Sequence, residues 1–136
     1  MSFEVGQVVA ERTVRLTRES LVRYAGASGD FNPIHYRDDV AERVGLPGVL
    51  AHGMLTMGIG ASVIADAVGD PARILDYGVR FTKPVVVDPD AGAEVRYEAK
   101  VGKVEDGVAR IDLTVIFNDV KVLAKAQATV AEVAQA

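Results

Sequence analysis

Residues 26–60, GASGDFNPIHYRDDVAERVGLPGVLAHGMLTMGIG, decide how this chain is read. They hold both histidines of the sequence, His35 and His52, and place Asp30 five residues before the first of them. They end in His52-Gly53-Met54, where an apolar, glycine-containing run begins. From Gly53 to Val68 only Asp66 is charged, so the pattern predicts a helix that is apolar nearly all round and has to be wrapped by other structure. Gly58 and Gly60 each cost roughly 1 kcal/mol of helix propensity relative to alanine, a penalty that makes sense where a sheet or a partner packs close. Gly69-Asp70-Pro71 ends the helix.

Upstream, residues 7–16 (QVVAERTVRL) carry β-branched residues in partial alternation and read as a strand. Thr17 can accept an N–H from the first turn of a helix that places Leu21, Val22 and Tyr24 or Ala25 on one face before Gly26 and Gly29 end it. Pro33 lacks an N–H and pushes Asn32 toward extended geometry, so Asp30 to Pro33 is a shaped loop. Asp38 or Asp39 then caps a short helix through Val44, and Gly45 with Pro47-Gly48 turns the chain toward His52.

Downstream only strands are expected: 73–82, a short one at 85–87, then 93–104, 108–118 and 120–130. The junctions at Glu105-Asp106-Gly107 and Asn118-Asp119 suit tight hairpins. The C-terminal VAEVAQA is expected to fray. One strand, helices, then a run of strands gives an α+β chain. An antiparallel sheet curled round one apolar central helix, the hot-dog architecture, best buries residues 53–68, and residues 1–136 read as a single such domain.

Composition narrows the function. With 49% apolar and 25% charged residues the chain is globular, and it has no cysteine. That removes disulfides, thiolate nucleophiles and cysteine-ligated metals, and fits a reducing compartment, so the expected setting is cytoplasmic. No segment reaches the ~18 apolar residues of a membrane span. A net charge of -4 with dispersed Lys and Arg argues against a nucleic-acid partner. No GxGxxG or Walker pattern occurs, and no cofactor or metal is expected.

Asp30 and His35 suit general acid/base work, because imidazole titrates near neutral pH and a carboxylate can orient it or share a water with it. The rigid Asn32-Pro33 turn lets the two side chains aim at one point. On pattern alone the reading competes evenly with a loop capped by Asp30 beside an incidental histidine. The free N–H groups that begin the apolar helix, chiefly that of Gly53, offer a site for an oxygen gaining negative charge. His52 reads as a core or capping histidine. Arg73, Arg80 and Lys83 could meet the phosphates of a carrier, and read more simply as solvated strand positions.

GDFNPIH followed by GLPGVLAHGMLTMG, with the later DYGVRFTKPVVV, resembles the MaoC-like hydratase family, whose motif runs Gly-Asp-x-Asn-Pro-hydrophobic-His and continues to His-Gly-Met. The similarity covers essentially the whole chain. It is strongest to single hot-dog (R)-specific enoyl-CoA hydratases and the catalytic B-type subunit of (3R)-hydroxyacyl-ACP dehydratases. What it implies is reversible hydration of trans-2-enoyl thioesters of coenzyme A or acyl carrier protein, in fatty-acid synthesis. Asp30 and His35 would hold the water, Asn32 would support the loop, and the Gly53 N–H would polarise the thioester carbonyl. Two departures stand out: Arg37 where many members have Asp, with Asp38 next to it, and Ala61 where several have Ser, with Ser62 one place later. Ser62 is therefore a supporting site candidate that reads more simply as a small helix-packing residue.

Two other functions share the fold: a non-catalytic hot-dog partner or acyl-thioester-binding module, which would not need Asp30 and His35, and a thioesterase. Strand edges with little proline or inward charge predict a dimer, with a second copy or with a related hot-dog subunit.

Overall fold

The computed structural model describes residues 2–132. Strand β1 (Val8–Leu16) runs into Thr17, whose hydroxyl accepts the Ser20 N–H while the Ser20 hydroxyl accepts the Thr17 N–H. This reciprocal cap starts helix α1 (Arg18–Ser28), which passes through Gly26 and closes at Gly29 with φ of 78°. Leu21 and Ala25, four apart, form its buried line. Val22 lies one position off that line and is exposed, against expectation. A 3-10 turn over Pro33–His35 precedes helix α2 (Asp38–Arg43). Arg37 holds the cap position of α2 without a side-chain bond, because the Asp38 and Asp39 carboxylates are taken by Arg18 and Arg37.

The apolar run forms helix α3 (Gly53–Val68), with the bounds the sequence predicts. After it come β2 (Ile74–Phe81), β3 (Ala93–Glu105), β4 (Val108–Phe117), β5 (Val120–Lys121) and β6 (Leu123–Ala131). They form one antiparallel sheet in the order β1-β3-β4-β6-β2, with β5 paired to β4. Both hairpins use positive-φ turns, at Asp106 (52°) with Gly107 (76°) and at Asn118 (51°) with Asp119 (59°), the hand that matches strand twist. Residues 85–87 form no strand; Val86 makes a single bridge to Leu50. The expected strand 120–130 is broken at Val122. Within β6, Lys125 at φ 46° is a bulge, so Leu123 and then Ala126 turn inward and the register to β2 jumps between Gly78 and Arg80.

The core lies between the sheet and α3, built from Val95, Tyr97 and Ala99 of β3 and Ile111, Leu113 and Val115 of β4. A Cβ at Gly60 would stand 2.5 Å from Leu113 Cδ2 and 2.6 Å from the Tyr77 hydroxyl, so glycine there is a requirement of close packing. Gly58 meets nothing and is exposed, so its penalty has no such compensation. Met54, Gly58, Ser62 and Asp66 line up as an exposed stripe along α3. The helix is therefore wrapped on most sides rather than all. Tyr77 and Tyr97 donate to the α3 carbonyls of Met57 (2.8 Å) and Thr56 (2.9 Å). Burial pushes the Tyr77 phenol up to about 12 and raises that of Tyr97 as well, so both remain donors at neutral pH.

Arg73 is neither a phosphate ligand nor a solvated position. It is buried, donates to the carbonyls of Val68 (3.0 Å), Ala131 (2.8 Å) and Glu132 (2.6 Å), and lies over the Phe3 ring. Because β6 is pinned this way, Val130 and Ala131 of the expected fraying tail are buried strand residues; residues 133–136 lie outside those described. Arg73→Met should lower unfolding free energy by about 3 kcal/mol, since carbonyls around it lose their donors, and urea unfolding checks this.

Candidate active site

The loop after α1 is built from side chains that bond their own backbone. The Asp30 carboxylate accepts the Asn32 N–H (3.1 Å) and the Asn32 side chain accepts the Ile34 N–H (3.2 Å), which starts the 3-10 turn with Pro33 at its first position. Asn32 thus bonds the loop's own backbone. The turn is then tied to the segment before α3, because the Leu50 N–H donates to the Ile34 carbonyl (3.1 Å).

That tie fixes the chemistry of His35. Its Nδ1 stands 2.6 Å from the Leu50 carbonyl, which can only accept, so Nδ1 carries the proton and Nε2 presents the lone pair. Ligating atoms of Asp30, His35 and His52 all fall within 4.8 Å of one another. The fold therefore brings Asp30 and His35 together, with Asp30 exposed and His35 only 8% exposed.

His52 is in the core, as the sequence suggests, and is also part of this cluster. It is 1% exposed, stacks on His35 with ring centroids 3.8 Å apart, and faces the Asp30 carbonyl with Nε2 at 3.2 Å. By the same logic Nε2 carries its proton, and its Nδ1 is buried without a partner. The rings are inclined by only 21°, and one nitrogen of each bonds a carbonyl, which leaves His35 Nε2 and His52 Nδ1 as the remaining ring nitrogens of the cluster.

Burial holds the His52 pKa below its ordinary value of 6.5, with His35 acting in the same direction. A group that stays neutral when folded and charges when unfolded binds more protons in the unfolded state. Stability therefore falls as pH drops through the ordinary value toward the lower folded one. His52→Gln should flatten this part of the stability-versus-pH curve. Chemical denaturation at pH steps between about 7 and 5 would read it.

A cavity of about 340 Å³ opens beside the cluster, lined by His35, Gly53, Thr56, Phe81, Lys83 and Val122 among others. Gly53 is the first residue of α3, where an N–H has no partner within the helix. A Cβ there would lie 2.9 Å from the Phe81 ring, so glycine lets the ring close against the helix start. Ser62 stands apart from all this: it is exposed, bonds the Gly58 carbonyl at 3.3 Å, and does not line the cavity. Arg80 is likewise exposed and outside the lining, while Lys83 is at the cavity wall. The sequence did not single out Phe81, Leu50 or a site position for His52. The available signal was that a chain with two histidines puts both within one short stretch.

Fold and site together define a hot-dog domain whose Asp30–His35 loop shares a cavity with the N-terminus of its central helix. Residues 2–118 match the family described as MaoC like domain, and the chain belongs to that family. It is 40% identical over 82 residues to 3-hydroxyacyl-thioester dehydratase X of Mycobacterium tuberculosis, covering 60% of this chain and 28% of the relative. A solved MaoC-like dehydratase superposes with a TM-score of 0.92 at 35% identity, over 96% of this chain and 41% of that one. An (R)-hydratase of Pseudomonas aeruginosa superposes with a TM-score of 0.81 at 28% identity, over 95% of this chain and 81% of that one. The chain spans little more than a quarter of the Mycobacterium relative. No helix among the described residues is long and apolar enough to cross a membrane.

Proposed function

We propose that the chain catalyses reversible hydration of trans-2-enoyl thioesters to (3R)-3-hydroxyacyl thioesters. The observation that carries this is one cavity with the His35 ring on one wall and the first turn of α3 at Gly53 on another, and with Asp30 beside His35. Relatives named dehydratase and hydratase support the reading, and the 3R hand rests on that likeness alone. A cytoplasmic setting, consistent with the cysteine-free sequence, belongs to the same proposal.

The thioester carbonyl sits at the Gly53 N–H and the water between Asp30 and His35 Nε2. As the water oxygen bonds to C3, the C2–C3 double-bond electrons move toward the carbonyl and the N–H stabilises the enolate oxygen. The proton the water loses is held by the Asp30–His35 pair and returned to C2, so the net addition is hydroxyl at C3 and hydrogen at C2. Asn32 holds the loop. The test is loss of enoyl absorbance with crotonyl-CoA and a longer enoyl-CoA, each also presented on acyl carrier protein. Free thiol released without loss of enoyl would instead make the chain a thioesterase.

The assembly belongs to the same proposal. β2 is an edge strand of the sheet, and it exposes Leu75 and Phe81, the second of which also walls the cavity. A second hot-dog subunit, identical or related, pairing along β2 would cover these residues and close the open side of the cavity. Light scattering should report a dimer; an active monomer of 14.4 kDa would contradict this.

A further inference from the structure

We propose that His52 is a positioning residue for the hydration site, an imidazole that sets Asp30 and His35 relative to one another and to the start of α3. The inference deepens the hydratase reading and rests on it for its kinetic arm only. One ring reaches both partners: its face stacks on His35 at 3.8 Å and its Nε2–H donates to the Asp30 carbonyl at 3.2 Å. Its own backbone carbonyl accepts the Leu55 and Thr56 N–H groups, so the residue that holds the acid/base pair also opens the helix at Gly53. The imidazole is not spent as a helix cap, since it makes no side-chain capping bond.

Packing does not explain it. His52 is 1% exposed and leaves Nδ1 buried with no partner, a cost that a phenylalanine in the same slot would avoid. What phenylalanine could not supply is the N–H to Asp30. The titratable groups facing the ring are Tyr24 of α1, edge-on at 4.7 Å, with Asp30 and His35 of the loop. Asp30 favours a charged His52, while burial and His35 oppose it, and burial dominates. Neutrality matters for the role. An imidazolium stacked on His35 would repel the proton that His35 Nε2 has to take from water and return.

With two histidines in the chain, nitrogen NMR of the imidazoles resolves both, and His52→Phe assigns them by removing one set. The expected result is opposite neutral tautomers, Nε2–H for His52 and Nδ1–H for His35. His52 should be less than half protonated at pH 6.5, where an ordinary imidazole is half protonated. Kinetically, His52→Phe keeps an aromatic face and loses the donor, while His52→Gln keeps a donor and loses the face. Both should fold, lower kcat by about 10-fold or more, leave KM within about 3-fold, and change the shape of the pH–rate profile. A residue that served packing alone would lower Tm and leave kcat and the profile unchanged, which would overturn the proposal. So would a His52 that is more than half protonated at pH 6.5 or, when neutral, carries its proton on Nδ1. Absence of hydratase activity in the unaltered protein would refute the proposed reaction and leave the tautomer result to decide whether His52 is built as described.

Discussion

Asp30→Asn and His35→Ala should each give a folded protein whose turnover is lower by about 10²-fold or more, the scale of lost acid/base catalysis. Folding survives in the first because asparagine keeps the side-chain oxygen that accepts the Asn32 N–H, and Asp30 is exposed. In the second the loop retains its backbone ties, from the His35 position to the Asn32 carbonyl and from Leu50 to the Ile34 carbonyl. What each variant loses is one of the two groups that hold the water. Because the two act as a unit, the double variant should be little worse than either single one. Steady-state rates of enoyl loss, with circular dichroism to confirm the fold, check both statements. A variant with near-normal kcat would move the chemistry away from this loop.

Gly53→Ala should lower kcat by about 10²-fold, the scale of a substrate held out of place. The N–H itself remains, so the effect has to come through space. The new Cβ meets the Phe81 ring at 2.9 Å and drives it into the cavity it lines, where the thioester has to reach the helix start. Phe81→Ala in the Gly53→Ala background removes that collision and should restore part of the rate. No recovery would place the damage at the N–H and not at the ring. The substitution is also expected to cost little stability, because alanine is a better helix former than glycine and the ring can yield into the cavity it lines. Thermal unfolding alongside the kinetics separates the two effects.

How much of this could be read before the structure follows from the range of the forces involved. Helix α3 was readable to the residue because an uninterrupted apolar run ending in Gly69-Asp70-Pro71 is a local signal, and so were the Thr17 cap and both hairpin turns. The Asp30–His35 loop was readable because its hydrogen bonds span two or three residues. Features set by distant partners were not. Arg73 looks like a surface cation until the carbonyls of Ala131 and Glu132 come to it from the far end of the chain. The Lys125 bulge depends on the register of β6 against β2, and the break at Val122 on where β6 leaves β4. Gly58 and Gly60 carry the same propensity penalty, and only the approach of Leu113 and Tyr77 tells them apart. The place of His52 in the cluster required the stack with His35, seventeen positions away in sequence.

Hydration of a trans-2-enoyl-CoA in heavy-oxygen water, followed by chiral analysis of the product, tests the central claim most directly. The account predicts that enoyl absorbance falls, that one labelled oxygen appears at C3 of a (3R)-3-hydroxyacyl thioester, and that Asp30→Asn and His35→Ala slow this together. Label in a released carboxylate with the double bond intact, or an unaltered rate in both variants, would contradict it.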